Sequence, residues 1–192
     1  MTQRARRTLV DDAGWLLGAR QVASPNCDLR PPDASVSLIV IHAISLPPGE
    51  FGGDAIERLF TNRLAANAHP YYSEISHLCV SAHFLIRRNG SLIQFVPCRQ
   101  RAWHAGVSAW QGRQRCNDYS LGIELEGCDA LPFAAAQYAC LRTLIGTLCE
   151  HFPIDAVVGH SDIAPGRKTD PGPHFDWLAL AELGRLPGKL DR

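Results

Sequence analysis

The sequence predicts a single α/β domain in which helices flank a central mixed β-sheet. Residues 36–42 form a β-branched run that is apolar on both faces, as in a strand buried inside a sheet. Residues 133–152 place apolar side chains at helical spacing. A hairpin pattern lies between them in the chain, so strands and helices alternate as in three-layered α/β folds. A chain of 192 residues with 46% hydrophobic content is long enough to form the core of one such domain and too short for two.

The N-terminal 34 residues show no regular period. Polar residues and three prolines predict an extended segment, residues 1–34, that wraps the surface. The start is basic, but Asp11 and Asp12 interrupt it before an apolar signal-peptide core develops, and they also disfavour an organellar transit peptide. No apolar run is long enough to span a bilayer. We therefore expect a cytoplasmic protein that does not contact membranes.

The next elements follow from local patterns. After the first strand, residues 45–53 are rich in Pro and Gly and predict a loop, and residues 54–60 have helical spacing. Residues 67–76 show little periodicity and are expected to be irregular. Asn89-Gly90 is a strong turn signal between the alternating strands 81–86 and 91–96.

The C-terminal half continues the alternation. A long loop leads to a strand at residues 120–127, which places Glu124 and Glu126 on one face. The long helix ends before Pro153, and a short strand, residues 157–160, precedes a Pro- and Gly-rich loop. Residues 175–183 suit a terminal helix, and residues 186–192 are expected to be a frayed tail.

Charge and cysteine content exclude several classes of function. Nineteen basic and nineteen acidic residues cancel, so nothing global favours nucleic acid or an anionic membrane. Seven cysteines, an odd number without a Cys-x-x-Cys pair, indicate a reducing cytosol. We predict no obligate protein partner, and recognition must come from a local site that takes a small molecule.

Three residues have the composition of a catalytic zinc site. His42 and His160 each end an apolar strand, and Asp170 lies in the rigid loop after His160. Catalytic zinc takes three nitrogen, oxygen or sulfur ligands and leaves its fourth position for water, which it acidifies. A lone histidine is more often a satisfied core or surface residue, but the repeated strand-end position favours a Zn²⁺ site here.

The acid/base candidates follow from the same geometry. Glu124 lies in an interior strand and would act as the general base, although both it and Glu126 could instead face solvent at a sheet edge. Lys168 would stabilise a developing oxyanion, or is simply a solvated lysine. His104 could contact substrate at the rim of the site or only hydrogen-bond within its loop. The other histidines are interpreted as structural or exposed: His69, His77, His83, His151 and His174.

These motifs together resemble a known family. The segments are Val40-Ile41-His42 with the loop 45–53, Arg101-Ala102-Trp103-His104-Ala105-Gly106, the strand 122–127 and the long stretch 159–173. In combination they resemble the cytoplasmic AmpD-type N-acetylmuramoyl-L-alanine amidases, of the amidase-2 and peptidoglycan-recognition-protein fold. The resemblance covers nearly the whole chain.

The resemblance implies a zinc amidase that cuts the lactyl–L-alanine bond of 1,6-anhydro-muropeptides during cell-wall recycling. It implies His42, His160 and Asp170 as zinc ligands, Glu124 as the acid/base and Lys168 as the oxyanion partner. Ala43 and Cys79 depart from the family pattern, which has asparagine and arginine there, so substrate recognition could be rearranged. For substrate contacts we expect Trp103 to stack on sugar or peptide, and Arg115, less surely Arg113, to bind a diaminopimelate carboxylate.

Two rival functions remain open from the sequence. The first is a muropeptide-binding receptor on the same fold without a working metal. The second is a cysteine hydrolase that uses one of the seven thiols. Zinc content separates the first from an amidase, and sensitivity to alkylating agents rather than chelators separates the second.

Overall fold

A computed structural model of the chain describes residues 9–181. Its strands are β1 (Arg20–Gln21), β2 (Cys27–Leu29), β3 (Leu38–Ile44), β4 (Phe84–Ile86), β5 (Leu92–Gln94), β6 (Gln100–Ala102), β7 (Ala109–Trp110), β8 (Arg113–Gln114), β9 (Ser120–Glu126) and β10 (Ala156–Gly159). Its helices are α1 (Ala55–Phe60), α2 (Pro70–Ile75), α3 (Ala135–His151), α4 (His160–Ile163) and α5 (Leu178–Ala181), with one 3-10 turn at Cys116–Asp118.

The main sheet is mixed, as predicted. Six strands follow the order β1-β5-β4-β9-β3-β10. β3 pairs in parallel with both β9 and β10, and β4 is parallel to β9 but antiparallel to β5. The parallel register of β3, β9 and β10 brings their carboxyl ends to one edge, where α/β sheets usually bind ligands.

The two faces of the sheet are covered differently. Ile39, Ile41 and Ile123 point to one side and pack against α3 through residues such as Leu141 and Leu144. On the other side, Leu85 of β4 and Ile93 of β5 lie in one apolar cluster with the buried side chains of α1. Because side chains alternate along a strand, the even-numbered residues of β3 and β9, including Glu124, lie on the face away from α3.

Most predicted elements are confirmed. The structure contains the hairpin of β4 and β5, the short helix α1, the long helix α3 and the strand β10. The terminal helix begins at Leu178, later than predicted, and the part of that prediction beyond residue 181 lies outside the described residues. Within residues 9–181, no helix is long and apolar enough to cross a membrane.

Three predictions are corrected. Residues 67–76 are not irregular, because α2 begins at Pro70 with His69 as its N-cap, whose Nδ1 accepts the Tyr71 amide at 3.1 Å. Proline at the first helical position after a capping side chain favours a helix even without a clear period. The N-terminal segment does more than wrap the surface, since β1 joins the main sheet and β2 pairs with β6. Finally, His160 begins α4 instead of ending a strand.

Two of the terminal predictions cannot be compared with the structure. Residues 1–8 of the predicted wrap and the predicted tail, residues 186–192, lie outside the described residues.

Candidate metal centre and active-site cavity

Three side chains meet at the carboxyl edge of the sheet. His42 Nδ1 lies 3.0 Å from His160 Nδ1, and each of these nitrogens lies 3.1 Å from Asp170 Oδ2. Ligands at zinc-like bond lengths around a tetrahedral centre are about 3.3 Å apart, so this donor set fits a metal ion. The structure therefore brings together the three residues predicted as metal ligands, in a cluster that could hold a metal.

The fold explains this convergence. Gly159 of β10 pairs with Ile41 of β3, which places His160 beside His42 on the adjacent strand. The loop after α4 folds back towards His160, and the Ser161 amide holds it there by donating to the Asp170 carbonyl at 2.9 Å. Residues 118 and 128 positions away from His42 in the chain are thereby brought within hydrogen-bond distance of it.

The outer ring nitrogens of both histidines have partners. His160 Nε2 lies 3.1 Å from the Ala105 carbonyl, which can only accept, so this nitrogen carries the proton and Nδ1 presents its lone pair to the cluster. His42 Nε2 lies 2.9 Å from His104 Nδ1, and His104 Nε2 lies 3.1 Å from Ser120 Oγ. Such outer partners orient histidines that bind metals.

The charge of the cluster also suits a cation. Burial alone would raise the pKa of Asp170, but hydrogen bonds with His160 and His42 outweigh it and hold that pKa well below its usual range. Burial lowers the pKa of His42, which favours the neutral ring. One carboxylate and two neutral imidazoles are the forms that bind metals.

Glu124 lies beside the cluster without a partner. It pairs with His42 in the register of β9 and β3 and is 8% exposed. Its Oε2 is buried and has no hydrogen-bond partner among the described residues. Burial, and then the charge of Asp170, raise the pKa of Glu124 well above its ordinary value, against the opposing charge of Lys168. The expectation that it faces solvent at a sheet edge is excluded by this burial.

A cavity of about 500 Å³ opens above these residues. Its apolar lining comes from the loop after β3, from α1, from α2 and from the segment that follows α2. Its polar lining includes the candidate metal ligands, Glu124 and the loop after α4. Lys168 lines this cavity and is exposed. The apolar lining includes Leu46, Leu59, Phe60, Tyr71, Ile75, Leu78 and Val80.

The three residues predicted to contact substrate have different positions. Trp103 lines the cavity, and its Nε1 donates to Asp28 Oδ1 at 3.2 Å. His104 also lines it, but both of its ring nitrogens are engaged, by His42 and by Ser120. A ring-nitrogen contact from His104 to substrate would therefore require one of those hydrogen bonds to break.

Arg115 does not line the cavity above His42, His160 and Asp170. It lines a neighbouring cavity of about 600 Å³, its side chain is 71% exposed, and it forms an ion pair with Asp118 at 3.1 Å. Gly106 and Val107 also line this second cavity, and Arg167 lines both.

One structural contributor was not found from the sequence. Arg167 Nη2 donates to the carbonyls of Ala105 and Val107 at 2.8 and 2.6 Å. The Ala105 carbonyl also contacts His160 Nε2, so Arg167 fixes the backbone behind a candidate metal ligand. Its position next to Lys168 is the only sequence signal, because the acceptors lie about 60 residues earlier in the chain.

The thiols do not form a nucleophilic site. Within residues 9–181, which include all seven cysteines, no thiol hydrogen-bonds to a histidine or a carboxylate. Burial raises the pKa of Cys98, Cys140 and Cys149. Cys128 lines the cavity above the candidate metal ligands, and within residues 9–181 no hydrogen bond joins its thiol to another side chain.

Comparison with known proteins agrees with this geometry. The chain is 57% identical over 174 residues to the 1,6-anhydro-N-acetylmuramyl-L-alanine amidase AmpD of Escherichia coli K12, which covers 90% of this chain and 95% of that protein. It is 58% identical to the AmpD of Citrobacter freundii over 90% of this chain and 93% of that protein.

Solved structures of amidases share the fold. A crystal structure of a selenomethionine AmpD derivative matches with a TM-score of 0.89 at 56% identity, covering 91% of this chain and 98% of that chain. The amidase AmiD of E. coli, solved with the substrate anhydro-N-acetylmuramic acid-L-Ala-D-gamma-Glu-L-Lys, matches with a TM-score of 0.58 at 30% identity, covering 94% of this chain and 67% of that one. The model of the N-acetylmuramoyl-L-alanine amidase family, Amidase_2, matches residues 32–173, and the chain belongs to this family.

Proposed function

We propose that this protein is a zinc-dependent amidase of peptidoglycan recycling. It hydrolyses the amide bond between the lactyl group of 1,6-anhydro-N-acetylmuramic acid and L-alanine. The observation that carries the proposal is the cluster of His42, His160 and Asp170 beside Glu124, whose buried Oε2 has no hydrogen-bond partner within residues 9–181. The relatives named 1,6-anhydro-N-acetylmuramyl-L-alanine amidase, at 57–58% identity, support the substrate.

His42, His160 and Asp170 would hold the zinc ion. Two nitrogen donors and one oxygen donor are a ligand set that catalytic zinc uses, and it leaves a coordination position open. When bound, zinc supplies a Lewis acid that lowers the pKa of water and polarises the scissile carbonyl.

Glu124 moves the proton. Its unpartnered Oε2 is free to accept a proton from the attacking water and to deliver that proton to the departing alanine nitrogen. Burial raises the pKa of Glu124, which brings protonation and deprotonation closer to neutral pH. Loss of this proton makes the water nucleophilic, and its delivery to nitrogen lets alanine leave as a neutral amine.

Lys168 and the substrate contacts complete the proposal. Lys168 is exposed on the loop between two ligands, where its ammonium can stabilise the negative charge that develops on the carbonyl oxygen. Trp103 stacks on sugar or peptide. The stem peptide would extend past Val107 into the neighbouring cavity, where Arg115 binds one of its carboxylates.

We also propose that the enzyme works in the cytoplasm on small soluble muropeptides, without an obligate protein partner. All seven cysteines are unpaired, which supports a reducing compartment.

The test is mass spectrometry of the products from a defined anhydro-muropeptide. We expect an anhydro-sugar and a peptide that begins with L-alanine, loss of cleavage after chelation, and recovery when zinc is returned. Intact substrate in the presence of stoichiometric zinc would contradict the proposal. Tight substrate binding without turnover would indicate the receptor, and inactivation by iodoacetamide but not by a chelator would indicate a cysteine hydrolase.

A further inference from the structure

The hydrogen-bond chain behind His42 ends in side chains, unlike the one behind His160. The outer nitrogen of His160 meets a backbone carbonyl, that of Ala105, whose acceptor role is fixed by the peptide bond. The outer nitrogen of His42 meets another imidazole, His104 Nδ1, at 2.9 Å. An imidazole nitrogen can donate or accept, so this hydrogen bond couples the tautomer of His104 to the tautomer of His42.

Ser120 completes this chain. His42 can present the Nδ1 lone pair to a metal only if Nε2 carries its proton and donates to His104 Nδ1. His104 must then carry its own proton on Nε2, which lies 3.1 Å from Ser120 Oγ, an available acceptor. Two assignments of protons satisfy these contacts: in the reverse one Ser120 Oγ donates to His104 and His42 Nδ1 donates to Asp170. Only the assignment in which His42 Nε2 donates to His104 leaves the Nδ1 lone pair for a metal.

Gly122 provides the space for the His104 ring. A Cβ at Gly122 would lie 2.5 Å from His104 Cγ and 2.7 Å from Nδ1, closer than real Cβ contacts. The Gly122 backbone cannot retreat easily, because its amide donates to the buried His83 Nδ1 at 3.0 Å and its strand is central in the sheet. Glycine at position 122 therefore leaves the space that the His104 ring occupies.

We propose that His104 is a positioning residue, packed against Gly122 and hydrogen-bonded to Ser120, that holds the His42 ring and accepts a hydrogen bond from its Nε2 when Nδ1 binds a metal. The inference deepens the proposed function and rests on its metal site. It reassigns His104 from the substrate rim to the metal: partners at this position in metal sites typically change affinity by about 10- to 100-fold when removed.

The test measures zinc affinity by competition with a chromophoric chelator, together with the absorption spectrum of the cobalt-substituted protein. We expect His104→Ala to weaken zinc binding about 10- to 100-fold and to alter the cobalt spectrum. His104→Asn, whose side-chain carbonyl can accept from His42 Nε2, should recover much of the affinity. Neither readout requires turnover, so the result stands even if the chain proves not to be an amidase.

Gly122→Ala gives an independent arm. It keeps every hydrogen-bonding group but displaces the ring, so it should weaken zinc binding as His104→Ala does. In the His104→Ala background the same change should have little further effect, because the clashing ring is gone. This non-additivity separates ring displacement from general damage to β9.

A matched control is Gly90→Ala, in the hairpin turn, where a Cβ would lie 2.8 Å from the Ala136 carbonyl. It should lower stability and leave zinc affinity unchanged. Wild-type zinc affinity in folded His104→Ala, or fully additive losses in the Gly122→Ala and His104→Ala cycle, would overturn the proposal. If His104→Ala does not fold, Gly122→Ala decides: wild-type zinc affinity in folded Gly122→Ala would overturn the proposal.

Discussion

Glu124 and Glu126 lie two residues apart on the same face of β9 and are both buried, yet their surroundings differ completely. Glu126 accepts hydrogen bonds from Arg87 Nη1 at 2.8 Å, from the Gly52 amide at 2.7 Å and from the Arg88 amide at 3.1 Å. The Oε2 of Glu124 accepts none from the described residues.

The difference separates a carboxylate held by several partners from one that we propose to be reactive. Removing one partner of a buried ion pair is destabilising because the other charge is left unpaired, and Glu126 also joins the Pro- and Gly-rich loop at Gly52 to the sheet. A buried carboxyl without partners costs free energy, and such groups are concentrated at functional sites. Four predictions test this contrast, in order of decreasing effect.

The largest effect should come from Glu124→Gln. Removing a general acid/base typically costs about 10²- to 10⁴-fold in rate, and the amide of Gln cannot shuttle the proton. We expect kcat to fall by this factor while zinc content stays stoichiometric, measured by product formation and elemental analysis. Near-parental turnover in zinc-loaded Glu124→Gln would exclude the acid/base role.

Glu126→Ala should instead act on stability. Arg87 would lose its buried partner but keep Glu57, at 3.1 Å, so we expect the free energy of unfolding to fall by roughly 3 kcal/mol, the lower end for a broken buried ion pair. Urea denaturation of the zinc-bound protein measures this loss. Adding Arg87→Met should recover part of it, and an unchanged stability of the single variant would mean that the pair contributes little.

Lys168→Ala should have a smaller effect on rate than Glu124→Gln. An exposed donor contributes less than a preorganised buried one, so we expect kcat to fall about 10²-fold at most, with zinc affinity unchanged. Lys168→Arg keeps the positive charge and serves as the matched control. Equal losses in both variants would point to a role for the amine geometry and not for its charge.

The smallest effect is the pH dependence of stability in the metal-free protein. Because the pKa of Glu124 is raised above its ordinary 4.5, the folded state holds its proton more tightly than the unfolded state. This carboxyl therefore makes stability fall as pH rises from 4.5 through the raised pKa, and the effect then levels off.

Glu124→Gln should remove that slope. Its stability relative to the parent, measured by urea denaturation with a chelator present, should increase with pH above about 4.5 and not below it. Glu74→Gln, at an exposed position on α2, controls for the loss of one charge. A stability difference that is independent of pH would argue against the raised pKa.

The candidate site was largely predictable because its residues stand at the ends of recognisable elements. Apolar runs located β3 and β10, and parallel strands next to each other bring their ends together, so His42 and His160 could be paired from the pattern. Asp170 followed from the rigid loop after His160. Alternation along β9 placed Glu124 and Glu126 on one face, but it could not distinguish them.

The sequence alone determined the alternation of strands and helices, the hairpin, the long helix and the three metal-binding candidates, because periodicity and turn chemistry act over neighbouring residues. Only the tertiary structure decided which carboxyl is paired, that both ring nitrogens of His104 are engaged, and that Arg115 lines a separate cavity. Those outcomes depend on partners distant in the chain: Arg87 lies 39 residues from Glu126, and His104 lies 62 residues from His42. Local patterns carry no information about such contacts, which form only when the sheet brings the strands together.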